Sequence, residues 1–508
     1  MSLKKWMYSI LTVSLMGFVF FSCTREVKYN TDSNFSLYFS QDTIIFDTVF
    51  TTIGSTTQRF TVHNQSEQDV KIDFVALAKA NQSAYKINID GAGTDKLEDV
   101  VIASKDSMFI FVEVKVDPTN QNNPMIITDS ILFSVNGKIQ DVDLVAWGQD
   151  AHFIVGDANY GGFAYMGNYY GAFGEIVAHE NEIIDWYDDK PYVVYGFAII
   201  DSAATLNIHE GVNIYLHKNS GIWAYRGATL HVLGTKDSVV SFQGDRLENF
   251  YQNAPGQWFG LFLNESDQGH SIDYALVRNS INGLHYEPQN INEPVMNSPI
   301  TIQNTIIDNN SYTSLFSMGG KINASNSVFA KAAVYTALLG AGGEYDFRHC
   351  TFDNHWVDGV RNDPSFVVSD HIISKKLDET TIVYTGDLLK AYFGNCIIYG
   401  SLEDELLMSK YTGKALEFNY QFDHCLLRTT GDVSDTQHYV NCIVNDDPLF
   451  TEIEYYDYSL DSIISPAINS GSISIINEAS LPLSNDIIGN SRISDEAPDL
   501  GAYEFIGE

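Results

Sequence analysis

One pattern constrains this chain more than any other: a five-residue block that recurs through its second half. Asn304-Thr305-Ile306-Ile307-Asp308 aligns with Asn326-Ser327-Val328-Phe329-Ala330. His349-Cys350-Thr351-Phe352-Asp353, Asn395-Cys396-Ile397-Ile398-Tyr399 and His424-Cys425-Leu426-Leu427-Arg428 follow. The steps are 22, 23, 46 and 29 residues, and Asn441-Cys442-Ile443-Val444 comes 17 later. We read 46 as two coils of 23, 29 as one coil with a longer loop, and 17 as a shortened last coil. Upstream, Ala204-Thr205-Leu206-Asn207-Ile208 recurs 24 residues on as Ala228-Thr229-Leu230-His231-Val232. Each copy precedes another alternating run, and glycines at 211, 221, 227, 234 and 244 punctuate the runs. A short fixed period built of strands and Gly, Asn and Asp corners predicts stacked parallel coils. One coil alone buries almost nothing, so many must stack, about 4.8 Å apart.

The same alignment accounts for four of the five cysteines. Cys350, Cys396, Cys425 and Cys442 share one coil position, where earlier coils have Thr305 and Ser327. Small side chains at a stacked position form a ladder, in which a thiol behaves as a small hydrophobe. A Cys425–Cys442 disulfide and a metal site are the alternatives.

Residues 35–150 alternate with period two instead. Phe60-Val62, Val70-Ile72-Phe74, Tyr85-Ile87-Ile89 and Met108-Ile110-Val112-Val114-Val116 each place apolar side chains on one face. Asn136-Gly137 suits a type I′ hairpin turn, with Val142-Leu144 on the returning strand. About seven short strands predict a β-sandwich of immunoglobulin size, which we read as a spacer rather than a ligand-binding module.

The run Pro255-Gly-Gln-Trp258-Phe-Gly-Leu261 to Ser271-Ile-Asp-Tyr274-Ala-Leu-Val277-Arg-Asn279-Ser-Ile-Asn-Gly283 resembles secreted bacterial right-handed β-helix repeat proteins. That resemblance spans roughly 185–445 and implies a right-handed parallel β-helix. The fold carries lyases, hydrolases, adhesins and scaffolds alike, so it implies no activity. Asp447-Pro-Leu-Phe450, Ser465-Pro-Ala-Ile-Asn-Ser-Gly471, Asp486-Ile-Ile-Gly-Asn-Ser-Arg492 and Pro498-Asp-Leu-Gly-Ala-Tyr-Glu-Phe505 resemble the choice-of-anchor Q module. The resemblance implies a cap over the open edge of the last coil. Residues 35–150 resemble the Ig-like modules that precede such repeats.

Lys4-Lys5, an apolar stretch from Trp6 to Phe21, and Ser22-Cys23 resemble a bacterial lipoprotein signal of the Bacteroidota type. It implies cleavage after residue 22, lipidation of Cys23, and a place at the outer membrane, on its periplasmic or its outer face. A plain secretory signal is the alternative. The expected division is therefore signal 1–22, linker 23–34, sandwich 35–150, junction and N-terminal cap of the β-helix 151–195, β-helix 196–445 and cap 446–508, all of β class.

Composition supports a folded chain that does not bind nucleic acid. Net charge is −36, and removal of residues 1–22, which hold Lys4 and Lys5 and no acids, takes it to −38. A surface of that sign repels phosphate backbones and excludes nucleic acid as the main partner. With 44% hydrophobic and 13% aromatic residues it is no disordered acidic tail.

The β-helix hydrolases need paired carboxylates with a following Gly-His-Gly and Arg-x-Lys, and lyases need a basic residue beside Ca²⁺-binding acids. Neither pattern occurs. The best local candidate is Asp353-Asn-His355-Trp356-Val-Asp358-Gly-Val-Arg361-Asn-Asp363, with Asp353, His355, Asp358 and Arg361 as possible catalytic groups. The competing reading is an ordinary coil loop, since Asp, Asn and Gly form turns. Tyr165, Tyr169, Tyr170, Trp258 and Trp356 are candidate sugar-stacking residues. We expect a non-catalytic envelope protein that binds glycans or mediates cell-surface contact, with no cofactor beyond weakly held Ca²⁺. A polysaccharide lyase or hydrolase and a structural envelope component are the alternatives.

Overall fold

The computed structural model describes residues 28–50, 55–116, 125–156, 158–165, 168–288, 298–375, 380–453, 456–461, 464–494 and 496–506, without the side chains of 125, 158–165 and 168–172. The chain divides into two compact units, Met1–Asp150 and Ala151–Glu508. It is almost entirely β: the described helical turns are Ala80–Gln82 and Ile473–Asn477. No described helix is long and apolar enough to cross a membrane.

The first unit has two five-stranded sheets over a single core. One sheet runs, in spatial order, Tyr38–Phe39, Gln58–His63, Ser107–Val114, Tyr85–Ile89, Ala92–Gly93. The other runs Thr43–Phe50, Lys138–Gln149, Met125–Val135, Val70–Leu77, Lys96–Ile102. Met108, Ile110, Val112 and Val114 are buried while Phe109 and Glu113 face out, as period-two alternation requires. Asn136 and Gly137 both take positive φ (52° and 80°) and join Val135 to Lys138, as the turn chemistry predicts.

The second unit is wound from three long parallel sheets, an arrangement consistent with a parallel β-helix. Sheet I has eleven strands, from His152–Val155 to Ile443–Val444; sheet II has ten, from Ala158–Tyr165 to Leu406–Ser409; sheet III has ten, from Ile183–Trp186 to Tyr439–Val440; successive coils visit III, I and II in turn. The repeated blocks lie on neighbouring coils in register. Thr205 and Leu206 pair with Thr229 and Leu230. Ile306, Val328, Thr351, Ile397, Leu426 and Ile443 form one continuous column of sheet I.

The corner before each block explains its first two residues. Tyr274, Asn304, Asn326, His349, Asn395, His424 and Asn441 all have φ between 47° and 53°. Asn and His tolerate this left-handed conformation better than most residues, and their side chains bond along the stack. Asn326 Nδ2 donates to Asn304 Oδ1 (3.3 Å), and Asn395 Nδ2 to His349 Nε2 (2.9 Å). The next residue turns inward, where only a small group fits; Cys350, Cys396 and Cys425 are fully buried there, and all four cysteines of the ladder are free thiols. Beside them Phe347, Phe393, Phe422 and Tyr439 stack through the interior, with centroids 5.5, 4.8 and 5.5 Å apart.

Three expectations change. The 46-residue step from His349 to Asn395 is one coil, not two: Thr351 pairs directly with Ile397. The extra length is the 355–365 loop and an antiparallel hairpin, His371–Lys375 with Thr381–Thr385, whose period-two alternation imitates a further coil. Residues 151–195 are not a junction, because His152–Val155 already pairs with Tyr192–Tyr195 in sheet I. The Gly/aromatic run inside it folds as a hairpin, Ala158–Tyr165 with Asn168–Ala178, whose first strand is the antiparallel edge of sheet II and whose second begins its parallel run. Finally, the segment after 445 does not simply close the last coil. It runs back along the outer face of sheet I, covering Val328, Ala330, Ile397 and Leu426 with Tyr458, Leu460, Ala467, Ile487, Leu500 and Ala502.

Its motif residues hold that segment together and to the coils. Asp486 Oδ1 accepts the Ile488 and Asn490 amides, and its Oδ2 accepts the Glu504 amide. Asp499 accepts the amides of Asn469 and Phe505. Arg492, fully buried, bonds Glu504 (3.0 Å) and reaches the corner ladder at Asn326 Oδ1 (3.0 Å). Asn395 exchanges two hydrogen bonds with Ser472.

Candidate functional site

The fifth residue of each repeated block points outward from sheet I and forms a column: Arg278, Asp308, Ala330, Asp353, Tyr399, then Arg428. Four of these six are charged, which is unusual for a strand position flanked by apolar columns. The C-terminal segment closes the upper half. Arg278 Nε bonds Asp308 at 2.9 Å, and the Tyr456 ring lies between the Arg278 and Lys331 cations, 3.9 and 4.0 Å away. Burial raises the Asp308 pKa against the opposing charges of Arg278 and Lys331. This half is a clamp for the docked segment.

The lower half holds the sequence candidates. Asp353 is fully buried and both its oxygens face His355 Nδ1, at 2.9 and 3.0 Å. Burial is the largest influence on both groups. It raises Asp353, with the nearby Glu405 charge adding to it and His355 opposing. On the imidazole burial works against the charged form, yet the Asp353 hydrogen bond and the charges of Asp353, Glu405 and Asp447 outweigh it, so His355 is raised. The ring sits 6.0 Å from that of Tyr399, over which Arg428 lies at 5.4 Å. An oriented imidazole beside a tyrosine and a guanidinium can exchange a proton with a bound group.

Arg361 does not join them as a base. It forms a buried, two-pronged pair with Glu405 and also donates to the Asn354 carbonyl (2.9 Å). Glu405 further accepts the amides of Leu402 (3.0 Å) and Ser365 (3.2 Å). The pair fastens both ends of the 355–365 loop, which is structural work. Asp358 is exposed on that loop.

The loop has a counterpart. Sheets I and II are joined by short connections at Asn279, 309–312 and 331–334, but by long ones at 245–257 and 355–365. The first long loop lies down over its neighbours: Asn279 Nδ2 donates to the Gln252 carbonyl and Asn309 Nδ2 to that of Asn253. The stretch of corner between the two long loops, here termed the notch, carries Tyr312 and Tyr335, both half-buried, with centroids 6.1 Å apart and rings at 89°. Burial, with the other phenol, pushes Tyr312 up to about 12; burial, then Asp363, raises Tyr335. Trp356, half-buried, stands at the base of the second loop, and Val357 and Val360 are exposed on it.

Trp258 is corrected: it is fully buried inside the coils, its Nε1–H donating to the Arg278 carbonyl at 2.8 Å, so it stacks on no sugar. Side chains of Tyr165, Tyr169 and Tyr170, and all of residues 1–22 and Cys23, lie outside the described residues. Tyr399 and Arg428 went unnoticed in the sequence although the block alignment displays them in its fifth column. Tyr312 and Tyr335 went unnoticed because they fall between blocks. Among the described residues no group of three or more His, Cys, Asp and Glu side chains is arranged to hold a metal ion.

No family model matches the chain, and no curated protein matches it. Solved structures that resemble parts of it include a family 123 glycoside hydrolase from Clostridium perfringens, at 11% identity and TM-score 0.16 over 22% of this chain and 25% of that one. The PapD-like domain 7 of human CEP192 matches at 10% identity and TM-score 0.16, over 25% of this chain and 91% of that domain. A protein of unknown function from Porphyromonas gingivalis W83 matches at 12% and 0.16, over 23% of this chain and 53% of that one. The chain thus spans a quarter of the length of the hydrolase it matches, and likeness at these scores carries no argument about fold or activity.

Proposed function

We propose that this chain is a lipid-anchored envelope protein that binds a glycan at the corner notch. The observation that carries the proposal is the pair of half-buried tyrosine rings, Tyr312 and Tyr335, packed edge to face between the two long loops, with Trp356 half-buried on the second of them. Aromatic faces with a few polar groups around them suit a sugar chain. In this reading residues 35–150 are an Ig-like spacer, the coils form a right-handed parallel β-helix, and 446–508 is a choice-of-anchor Q-like module acting as a seal. Cys23 carries the acyl anchor, and a net charge near −38 keeps the molecule soluble beside an anionic envelope. Purified protein on a glycan array is expected to retain a defined glycan class, and Tyr335→Ala and Trp356→Ala to lose it while melting as wild type does. Retention by both variants sinks the notch. Membrane fractionation of Cys23→Ala is expected to release the protein, and continued membrane association refutes the anchor.

The Asp353–His355 pair favours a second reading, a polysaccharide lyase or hydrolase, since Asp353 turns the imidazole so that Nε2 faces away from it. In that reading His355 serves as general base or acid. Release of shorter products from any polysaccharide, abolished in His355→Ala, would establish it; an inert wild type would exclude it.

A further inference from the structure

The first unit holds a cavity of about 340 Å³ on the solvent face of the sheet that includes Tyr85–Ile89 and Ser107–Val114. That volume is at the low end of ligand pockets. Tyr85, Ile87, Ile89, Ile110, Val112 and Val114 are buried in the core, so the intervening Lys86, Asn88, Phe111 and Glu113 stand on the outer face. Asn88 lies opposite Phe111 and Lys86 opposite Glu113 on the paired strands. Thr94 and Asp95, past the short strand Ala92–Gly93, form one wall, and Thr57 the other.

The polar groups are only partly satisfied by the protein. Thr57 Oγ1 donates to Glu113 Oε1 at 2.6 Å, and Asn88 Oδ1 accepts the Gly91 amide at 2.8 Å, while among the described residues none accepts from the Asn88 side-chain amide. Among the described residues no ion pair engages Lys86, although Glu113 lies directly across from it. One ammonium and one amide donor thus adjoin two carboxylates, Asp95 and Glu113, over an apolar floor. Neighbouring donors and acceptors of this kind fit vicinal hydroxyls, which accept one bond and donate another. Two carboxylates against one cation disfavour a phosphate, sulfate or uronate. Next to the cavity Phe109, 46% exposed, lies 6.2 Å from Phe111 with the rings 27° apart, and Arg59 lies 5.8 Å from the Phe109 ring.

We propose that the first unit, besides serving as a spacer, is itself a carbohydrate-binding module. One pyranose of a neutral oligosaccharide sits on Phe111 with its hydroxyls on Lys86, Asn88 and Glu113, and the chain continues over Phe109. The site is separate from the corner notch and does not depend on it. The test titrates the full chain with neutral cello-, xylo-, manno- and N-acetylchitohexaoses, following saturation-transfer NMR and calorimetry. At least one probe is expected to bind with a dissociation constant below the millimolar range. Phe111→Ala should weaken it at least tenfold and Lys86→Gln several-fold, with unchanged melting because both side chains are outside the core. Binding by none of the probes overturns the proposal, as does wild-type affinity in both variants. Loss in Tyr335→Ala with full retention in Phe111→Ala overturns it too, while leaving the notch intact. The reverse pattern supports it and removes the notch as the site of that probe.

Discussion

At the scale of the residue, the 355–365 loop shows how far chemical type alone carries a sequence reading. His, Arg and three Asp between Asp353 and Asp363 look like machinery, and one of them, His355, is oriented like it by Asp353. The arginine is not, and its true partner Glu405 lies 44 positions away, at a distance no local motif displays. The two ions are almost without solvent, at 3% and 0% side-chain exposure, so removing one leaves the other buried and unpaired. Glu405→Ala is expected to cost about 3–5 kcal/mol in urea denaturation, against far less for the partly exposed His355→Ala. A second residue-scale prediction concerns His270. It is fully buried, its Nε2 donating to the Asn264 carbonyl and its Nδ1 accepting the Leu230 amide, and burial lowers its pKa to about 4. A depressed histidine stabilises the fold fully above the unfolded value of about 6.5, and the contribution drains away as pH falls toward 4. The loss approaches about 3 kcal/mol. Asp308 and Asp353, both raised, shift stability the opposite way on acidification, so the comparison is between wild type and His270→Gln. The difference in unfolding free energy between them should change across pH 6.5 to 4 and be flat above it; a difference constant throughout would refute the account.

At the scale of the element, register was legible and insertion was not. The aligned blocks place the corner residues, the small inward residue and the outward fifth residue correctly, because stacked parallel strands repeat their chemistry position by position. The hairpin at 371–385 could not be told from a coil: both alternate with period two, and only the direct pairing of Thr351 with Ile397 separates them. The segment after 445 carries its own run of motif residues, but nothing in them tells that it lies along the outer face of sheet I. Its docking depends on a few polar contacts, chiefly Arg492 with Asn326 and Asn395 with Ser472. Beside them His349 is fully buried, its pKa driven well down by burial and then by the Arg492 charge. Arg492→Met is expected to loosen the segment without unwinding the coils. Limited proteolysis should then cut within 446–506 and leave a resistant core containing the three sheets, and cleavage spread evenly through the coils would contradict that.

At the scale of the whole molecule, the second unit is held by neighbour-to-neighbour contacts that repeat along one axis. The interior aromatic stack is the clearest case, since among the described rings Phe393 meets Phe347, Phe366 and Phe422 and no others. Phe393→Ala should cost about 3–5 kcal/mol, and in such an array the cost falls on one stretch. The thermal unfolding of the variant should split, with the coils after 388 melting before those ahead of them; a single transition shifted as a whole would show that the array unfolds as one unit. Most of the winding links strands only one coil apart, so each turn can settle on the one before it as the chain arrives. Arg492 breaks that habit, because its partner Asn326 precedes it by 166 positions. The flank segment can take its place only after the coils from 300 to 445 already exist in the right register, since its anchors are spread over several of them. It therefore acts as an inspection step on the winding: a coil skipped or slipped by one turn would move Asn326 or Asn395 about 4.8 Å out of reach and leave the apolar face of sheet I open to proteases and to other chains.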